Sequence, residues 1–255
     1  MTTLTIEQIH AHYSVRRYKP DPVPRETVEL VVAAGQRAST SSNLQTYSVV
    51  AVVDEGKRQR LAELCGGQRQ IRQAPVFTAW CADLNRLDRV CEMRGYHQIT
   101  SHLEGFLVAA VDAALAMQNA ALAAESLGLG MCYIGAIRNQ PEDVIDLLEL
   151  PPLVFPISGM TLGWPAAEPF IRPRLPLEAI LHWERYDTEG EETALQAYDQ
   201  AMIETGIYRG RQVPVPGAVG ELEEYGWLEH SARRASQAVR TGLREVLEQQ
   251  GFGLQ

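Results

Sequence analysis

Two short segments of the chain place polar side chains at a spacing that suits an anionic ligand. His12, Ser14 and Arg16 lie at every second position, so an extended backbone turns all three toward the same side. An imidazole, a hydroxyl and a guanidinium together match the acceptor oxygens of a phosphate monoester. Arg172 and Arg174 repeat that spacing in a second segment. For each segment, the alternative interpretation is a solvated surface loop.

Two other polar segments are less specific candidates. The hydroxyl-rich run from Ser39 to Asn43 either binds sugar hydroxyls or simply caps and turns the chain. Gln68 and Arg69 follow two consecutive glycines and form another polar group on a turn. Neither run indicates a ligand by itself.

The usual catalytic and metal-binding signatures are missing from the sequence. There is no HExxH, no GxSxG and no CxxC motif, and the histidines are scattered. Gly128, Gly130 and Gly135 form a spacing that fits neither a dinucleotide fingerprint nor a Walker A loop. We therefore expect no metal, no protein nucleophile and no Rossmann domain.

Composition narrows the class of protein further. The chain has 255 residues, of which 45% are hydrophobic, which suits one large domain or one domain with a subdomain. A net charge of −9 argues against nucleic acid as a partner. The segment MTTLTIEQIHAH resembles no signal peptide, and four unpaired-looking cysteines read as reduced thiols. We expect a cytoplasmic protein.

A long alanine-rich helix from Leu103 to Leu127 must organise the fold. Apolar residues lie on nearly every face of it, so we expect a helix that is buried all round. Glu104, Asp112, Gln118 and Asn119 interrupt it too often for a membrane span.

Shorter elements surround this helix. The patterns predict strands over 47–53, 75–82 and 131–134 and one within 154–164, with helices before and between them. After residue 164 they predict a surface segment, a helix over 194–205, a Gly/Pro-rich loop over 206–220 and a helix over 231–250. Few strands and many helices indicate an α/β or α+β fold.

Seven motifs that occur in a fixed order make the chain resemble a known family. They are HYSVR (12–16), ASTSSNLQ (38–45), GGQR (66–69), MQNAALAAESLGLG (117–130), YIGA (133–136), LGWP (162–165) and RPRLP (172–176). Together they resemble the oxygen-insensitive nitroreductases, in particular the NADPH-preferring branch that includes flavin reductases. The resemblance implies an α+β fold, with a mixed sheet around a long central helix, and an intertwined homodimer with tightly bound FMN at its interface.

The resemblance also implies roles for individual residues. The phosphate of FMN would be held by His12, Ser14, Arg172 and Arg174, with Tyr13 in the same loop, and Arg16 would reach the pyrimidine end of the ring. The other implied contacts are Ser41 and Asn43 from the partner subunit, with Thr40 nearby, Gln68 and Arg69 at the ring edge or ribityl chain, and Tyr133, Ile134, Gly135 and Ala136 against one flavin face.

Three positions depart from the family pattern. Tyr13 stands where an arginine is usual, which removes a charge near the phosphate. Ala136 stands where a second glycine is common, and Arg172 replaces a frequent lysine.

The C-terminal part would recognise the second substrate. By resemblance, Arg209 and Arg211 lie in a basic loop for the 2′-phosphate of NADPH, although an exposed loop remains the alternative. Arg240 falls where an arginine reaches over the flavin, and Ser42 and Arg240 would orient the acceptor. We therefore expect an FMN-binding core over 1–193 and a helical extension over 194–255 that carries the NADPH and substrate loop.

These residues predict an FMN-dependent oxidoreductase that passes hydride from NADPH to nitroaromatics, quinones or similar planar acceptors by a ping-pong mechanism. Two alternatives stay open at this point: a flavin reductase that supplies free reduced flavin, and a flavin-binding module without turnover.

Overall fold

The computed structural model describes residues 2–215, 220 and 222–255 of the chain. Residues 216–219, which belong to the predicted loop 206–220, lie outside the described residues. The described helices are α1 (Leu4–His10), α2 (Arg25–Gly35), α3 (Glu55–Leu64), α4 (Arg69–Gln73), α5 (Asn85–Arg94), α6 (Leu103–Ser126), α7 (Pro141–Leu148), α8 (Glu191–Glu204), α9 (Trp227–Ala235) and α10 (Leu243–Gln249). The described strands are β1 (Tyr47–Val52), β2 (Val76–Asp83), β3 (Gly130–Ile134), β4 (Val154–Gly163), β5 (Gln212–Pro214) and β6 (Leu222–Glu224).

The backbone contacts divide the chain into two compact units. The first comprises Met1–Pro169 and Arg240–Gln255, and the second comprises Phe170–Val239. The second unit contains α8, α9 and the small β5–β6 hairpin. The functional division after residue 193 stays a prediction.

A four-stranded sheet in the order β1-β2-β4-β3 forms the centre of the first unit. The α+β class and the long helix are confirmed, and every neighbouring pair among these four strands is antiparallel. The reason is that β4 inserts between β2 and β3. The helix α6 therefore connects two strands that run in the same direction without touching each other.

Both faces of this sheet are covered, and β2 shows how the sequence achieves it. All eight of its residues are buried, and its apolar side chains are divided between two clusters, one on each face. Phe77 packs on the side of α3, α4, α7 and α10, whereas Trp80 packs on the side of α2 and α6. A strand that is buried on both faces reads as a continuous apolar run, as residues 75–82 do.

The long helix α6 is not buried all round within one chain. Its small residues, among them Ala109, Ala113 and Ala116, are buried in the core, whereas larger residues on other positions are exposed. By length and composition α6 is apolar enough to cross a membrane, but its alanine side packs against the sheet. The contacts within one chain therefore do not explain why the exposed side of α6 is apolar.

The predicted helix over 231–250 is wrong in its middle. The structure has two helices, α9 and α10, separated by seven non-helical residues in which Arg240 has a φ of 56°. An arginine in the left-handed region does not continue a helix. Arg240 therefore lies on a turn rather than on a helix face.

Candidate functional site

The loop that carries His12, Ser14 and Arg16 is fixed to the end of α6 and to β3. The backbone N–H of Val15 donates to the carbonyl of Met131 at 2.8 Å, and the Tyr18 hydroxyl donates to the Val15 carbonyl at 2.8 Å. Val15 is buried, whereas its neighbours Ser14 and Arg16 are exposed. Anchoring one side of an extended segment leaves its alternate residues free to face a ligand.

Gly130 makes this anchor possible. A Cβ atom at residue 130 would lie 2.4 Å from Cγ2 of Val15, well inside van der Waals contact. Only glycine lets the loop backbone approach β3 this closely. Gly130, the first residue of β3, is therefore required by local packing.

His12 is positioned by a carboxylate of the central helix. Its Nδ1 lies 2.6 Å from Oε1 of Glu125, and the two side chains are 23% and 9% exposed. Burial raises the pKa of the Glu125 carboxyl above its usual range, while the bond to His12 opposes that rise. No role for Glu125 was predicted from the sequence, although an isolated charged residue in an apolar helix could have indicated one.

The hydroxyl-rich loop is held by a second carboxylate of the same helix. Asp112 is 1% exposed; its Oδ1 accepts from the N–H of Ser41 at 3.0 Å, and its Oδ2 accepts from the N–H and the hydroxyl of Thr46 at 3.1 and 2.7 Å. Between these two anchors, Ser42 and Asn43 have φ values of 48° and 57°. Such left-handed residues cost about 1 kcal/mol or more each, and persist where the surroundings hold them.

A groove separates this loop from the exposed side of α6. It has a volume of about 420 Å³ and is lined by Ser39, Thr40, Ser41, Glu104, Leu107, Val108, Val111, Asp112 and Leu115. Leu103, Leu107, Val111 and Leu115 recur every four residues and are 45–54% exposed. Residues at this spacing form one stripe along a helix, so the groove has an apolar wall on α6 and a hydroxyl-rich wall on the loop.

The segment predicted to face the flavin comprises the last two residues of β3 and the first two of the turn that follows. The Tyr133 hydroxyl donates to Oε1 of Gln118 on α6 at 2.8 Å. Ile134 is buried, and Gly135 and Ala136 are half-buried at the start of a short 3₁₀ turn, Gly135–Arg138. Gly135, which has no side chain, therefore exposes backbone atoms, and the contact of this segment with a flavin stays a prediction.

Two arginines meet at the end of this turn. The Arg138 guanidinium donates to the carbonyl of Ile157, and burial together with the nearby charge of Arg240 lowers its pKa. Arg240 donates from Nε to Oδ1 of Asn139 at 3.0 Å. Arg240 was predicted from the sequence, whereas Arg138 and Asn139, two and three residues after the YIGA motif, were not.

The GGQR turn lies beside the same group. A Cβ at Gly66 would lie 3.7 Å from Nδ2 of Asn139. The Gln68 amide donates to the carbonyl of Cys65 at 3.2 Å, and Arg69 begins α4. Burial raises the pKa of the Cys65 thiol to about 12, although the charge of Arg240 opposes this. Cys65 is therefore a neutral thiol and not a nucleophile at neutral pH.

The second unit carries the remaining predicted residues. Arg172 and Arg174 are exposed on either side of Pro173, whose carbonyl accepts from the Tyr198 hydroxyl at 3.3 Å. Arg209 and Arg211 line a cavity of about 310 Å³ with Tyr208, Tyr225 and several polar side chains, and the Arg211 guanidinium lies 5.7 Å from the centre of the Tyr225 ring. Arg172 lies close enough to Tyr208 for its charge to oppose the rise that burial causes in the pKa of that phenol, so this arginine is near the same cavity.

The first unit therefore brings together His12, Ser14, Arg16 and Glu125 at one end of α6, and Ser41 and Asp112 near the other. Among the described residues, no group of three or more His, Cys, Asp or Glu side chains could hold a metal ion. The assignment of individual residues to a cofactor stays a prediction.

Comparison with known proteins gives matches along the whole chain. The model of the nitroreductase family matches residues 9–164, and that of its C-terminal domain matches residues 172–255. The FMN reductase [NAD(P)H] of Bacillus subtilis (strain 168) is 40% identical, with 97% of each chain covered. The oxygen-insensitive NADPH nitroreductase of Salmonella typhimurium (strain LT2) is 37% identical, with 97% of this chain and 98% of that protein covered. The solved structure of B. megaterium NfrA2 superposes with a TM-score of 0.91 at 35% identity over the full length of both chains.

Proposed function

The chain belongs to the nitroreductase family, and on that premise we propose that it is an FMN-dependent oxidoreductase that uses NADPH to reduce planar, electron-poor acceptors. Nitroaromatics and quinones are the acceptors we expect, in a ping-pong sequence in which NADP⁺ leaves before the acceptor binds. Its relatives include both a nitroreductase and an FMN reductase, so delivery of reduced flavin to another enzyme is the second candidate. We expect this reaction to take place in the cytoplasm.

The observation that carries the proposal is the anchored loop 12–16. Val15 fixes it to Met131 at 2.8 Å, while Ser14 and Arg16 are exposed beside His12. A hydroxyl, an imidazole and a guanidinium are donors that fit the phosphate of FMN. Arg172 and Arg174 are proposed to add two positive charges beside the phosphate. Tyr13 stands where the family pattern usually has an arginine, so it adds no charge there. The donor set of this chain therefore fits the cofactor.

When bound, FMN supplies the redox chemistry, accepting hydride from NADPH and giving two electrons to the acceptor. The protein binds and orients the ring. We propose that Arg16 lies at its pyrimidine end, where a positive charge favours an anionic reduced ring, and that Gln68 and Arg69 bond to its edge. The backbone of Gly135 and Ala136, next to Tyr133 and Ile134, is proposed to cover one face of the ring.

A homodimer completes the proposed site. The apolar stripe Leu103, Leu107, Val111 and Leu115 is half-exposed in the single chain, and large exposed apolar patches mark interaction surfaces. A second copy of the chain packed on this stripe would bring the neighbouring Thr40, Ser41 and Asn43 toward the FMN of the other subunit. Ser42 and Arg240 are proposed to orient the acceptor, with Arg138 next to Arg240.

The proposed cofactor can be tested on the purified protein. We expect a yellow protein that releases FMN on denaturation, with about one FMN per chain, and whose colourless apoprotein regains FMN on titration. Denaturation followed by chromatography of the released flavin distinguishes FMN from FAD and riboflavin. A protein that neither contains nor binds FMN would contradict the proposal.

Selectivity for NADPH is proposed to depend on Arg209, with Arg211 beside it. Arg209 is exposed at the cavity near Tyr208, and a guanidinium there suits the 2′-phosphate that distinguishes NADPH from NADH. We expect Arg209→Ala to raise the KM for NADPH about 10-fold and to leave the KM for NADH nearly unchanged, since one charge-assisted bond contributes about 1.5 kcal/mol.

Arg185→Ala is a matched control for this measurement, because Arg185 is exposed in the same unit and its guanidinium donates to the carboxylate of nearby Asp187. It should leave both KM values unchanged. An equal rise of both KM values in Arg209→Ala would show that Arg209 does not recognise the 2′-phosphate.

A further inference from the structure

The three polar residues of α6 whose side chains bond to other segments each hold a different part of the proposed FMN site. Asp112 holds the loop at Ser41, and Gln118 accepts from the Tyr133 hydroxyl at 2.8 Å. Glu125 holds His12 at 2.6 Å. The central helix therefore positions all three segments with side chains, and not only through packing.

Glu125 differs from the other two because its carboxylate is only half used. Its side chain is 9% exposed, Oε1 contacts His12, and Oε2 is buried without a hydrogen-bond partner among the described residues. A buried carboxylate with unused acceptor capacity is costly. The hydrogen bond to His12 is therefore the interaction that compensates for the burial of the Glu125 carboxylate.

The geometry at His12 determines what its other nitrogen can do. Because Nδ1 faces the carboxylate, the imidazole can meet a ligand only through Nε2. A phosphate has only acceptor oxygens to offer a neighbouring nitrogen at neutral pH, so Nε2 must carry a proton. A carboxylate at Nδ1 stabilises the ring that is protonated on both nitrogens.

Two tyrosine hydroxyls lie near the Glu125 carboxylate, and neither of them neutralises its negative charge. The hydroxyls of Tyr13 and Tyr133 lie close enough for the charge of Glu125, after burial itself, to raise the pKa of both. Both phenols are therefore neutral at pH 7, and neither neutralises Glu125. The carboxylate is left to act on His12.

We propose that Glu125 is a positioning residue that fixes the His12 imidazole so that its Nε2 faces the phosphate of FMN as a hydrogen-bond donor. The inference rests on the proposed function, since it presupposes FMN. Glu125 should therefore affect the affinity for FMN but not the affinity for riboflavin, because riboflavin has the same isoalloxazine ring but no phosphate.

The test compares the binding of FMN and riboflavin by the full-length apoprotein, followed by quenching of flavin fluorescence at pH 7.5. Glu125→Gln keeps the size of the side chain and an acceptor for Nδ1, but removes the charge. We expect it to raise the Kd for FMN about 10-fold and to leave the Kd for riboflavin unchanged. Glu63→Gln, at an exposed carboxylate paired with Arg60, is the matched control and should change neither.

A double-mutant cycle with His12→Ala tests whether the effect passes through the imidazole. In the His12→Ala background, Glu125→Gln should cause no further loss of FMN affinity. An equal loss of FMN and riboflavin affinity, no loss at all, or an undiminished loss in the His12→Ala background would each overturn the inference and leave the proposed function standing. Absence of FMN binding by the unmodified protein would instead refute the proposed function, and the inference with it.

Discussion

A Leu107→Glu variant is expected to be a monomer that retains no FMN. Leu107 is 54% exposed in the middle of the apolar stripe on α6 and lines the groove beside Ser41. Each copy loses about 2 kcal/mol of apolar burial and places a carboxylate in an apolar interface, which costs more. With two copies per dimer, the total is at least about 8 kcal/mol, or a rise of about 10⁶ in the dimer Kd.

Light scattering coupled to size-exclusion chromatography measures the mass, and the absorbance of the eluted peak measures bound FMN. Leu30→Glu is the matched control, because Leu30 is 57% exposed on α2, outside the stripe, and should remain a yellow dimer. A Leu107→Glu protein that stays dimeric would show that the stripe is not the interface. A monomer that keeps its FMN would show that the site is complete in one subunit.

Asp112→Ala is expected to weaken both folding and FMN binding. The change leaves the N–H groups of Ser41 and Thr46 without their acceptor, and Thr46 is only 1% exposed. Buried donors without partners cost about 1–3 kcal/mol each, so we expect a loss of about 3 kcal/mol in the free energy of unfolding. The left-handed residues Ser42 and Asn43 would relax, and we expect FMN affinity to fall at least about 10-fold.

Urea unfolding of the apoprotein and flavin titration separate the two effects. Asp112→Asn keeps one acceptor oxygen in the same place, so its losses should be about half as large. Should FMN affinity stay unchanged while stability falls, Asp112 would serve the fold alone and the loop would not contribute to the site.

The sequence predicted the local elements well because their signals are local. The alanine-rich composition of residues 103–127 predicted α6, and the apolar run 75–82 predicted β2. The spacing of His12, Ser14 and Arg16 predicted that they face one side of an extended segment, and Ser14 and Arg16 are exposed in the structure.

Contacts between distant residues were beyond these signals. His12 and Glu125 are 113 positions apart, and Ser41 and Asp112 are 71 apart. No periodicity within a window of a dozen residues reports on such pairs. The antiparallel pairing in the sheet likewise depends on β4, which follows β2 and β3 in the sequence but lies between them in the sheet.

The exposed stripe on α6 shows a third kind of limit. The apolar composition of the helix predicted cover on all sides, but composition does not say which molecule supplies that cover. Within one chain the alanines are covered and Leu103, Leu107, Val111 and Leu115 are not. The proposed homodimer accounts for both observations with one interface.

The most direct test of the central claim is an anaerobic titration of the purified protein with NADPH, recorded as the visible absorbance of its bound flavin. We predict that one equivalent of NADPH per flavin bleaches the spectrum, and that a nitroaromatic or a quinone then restores it without release of FMN. Bound FMN that NADPH and NADH both fail to bleach would contradict the account and identify a flavin-binding module without turnover.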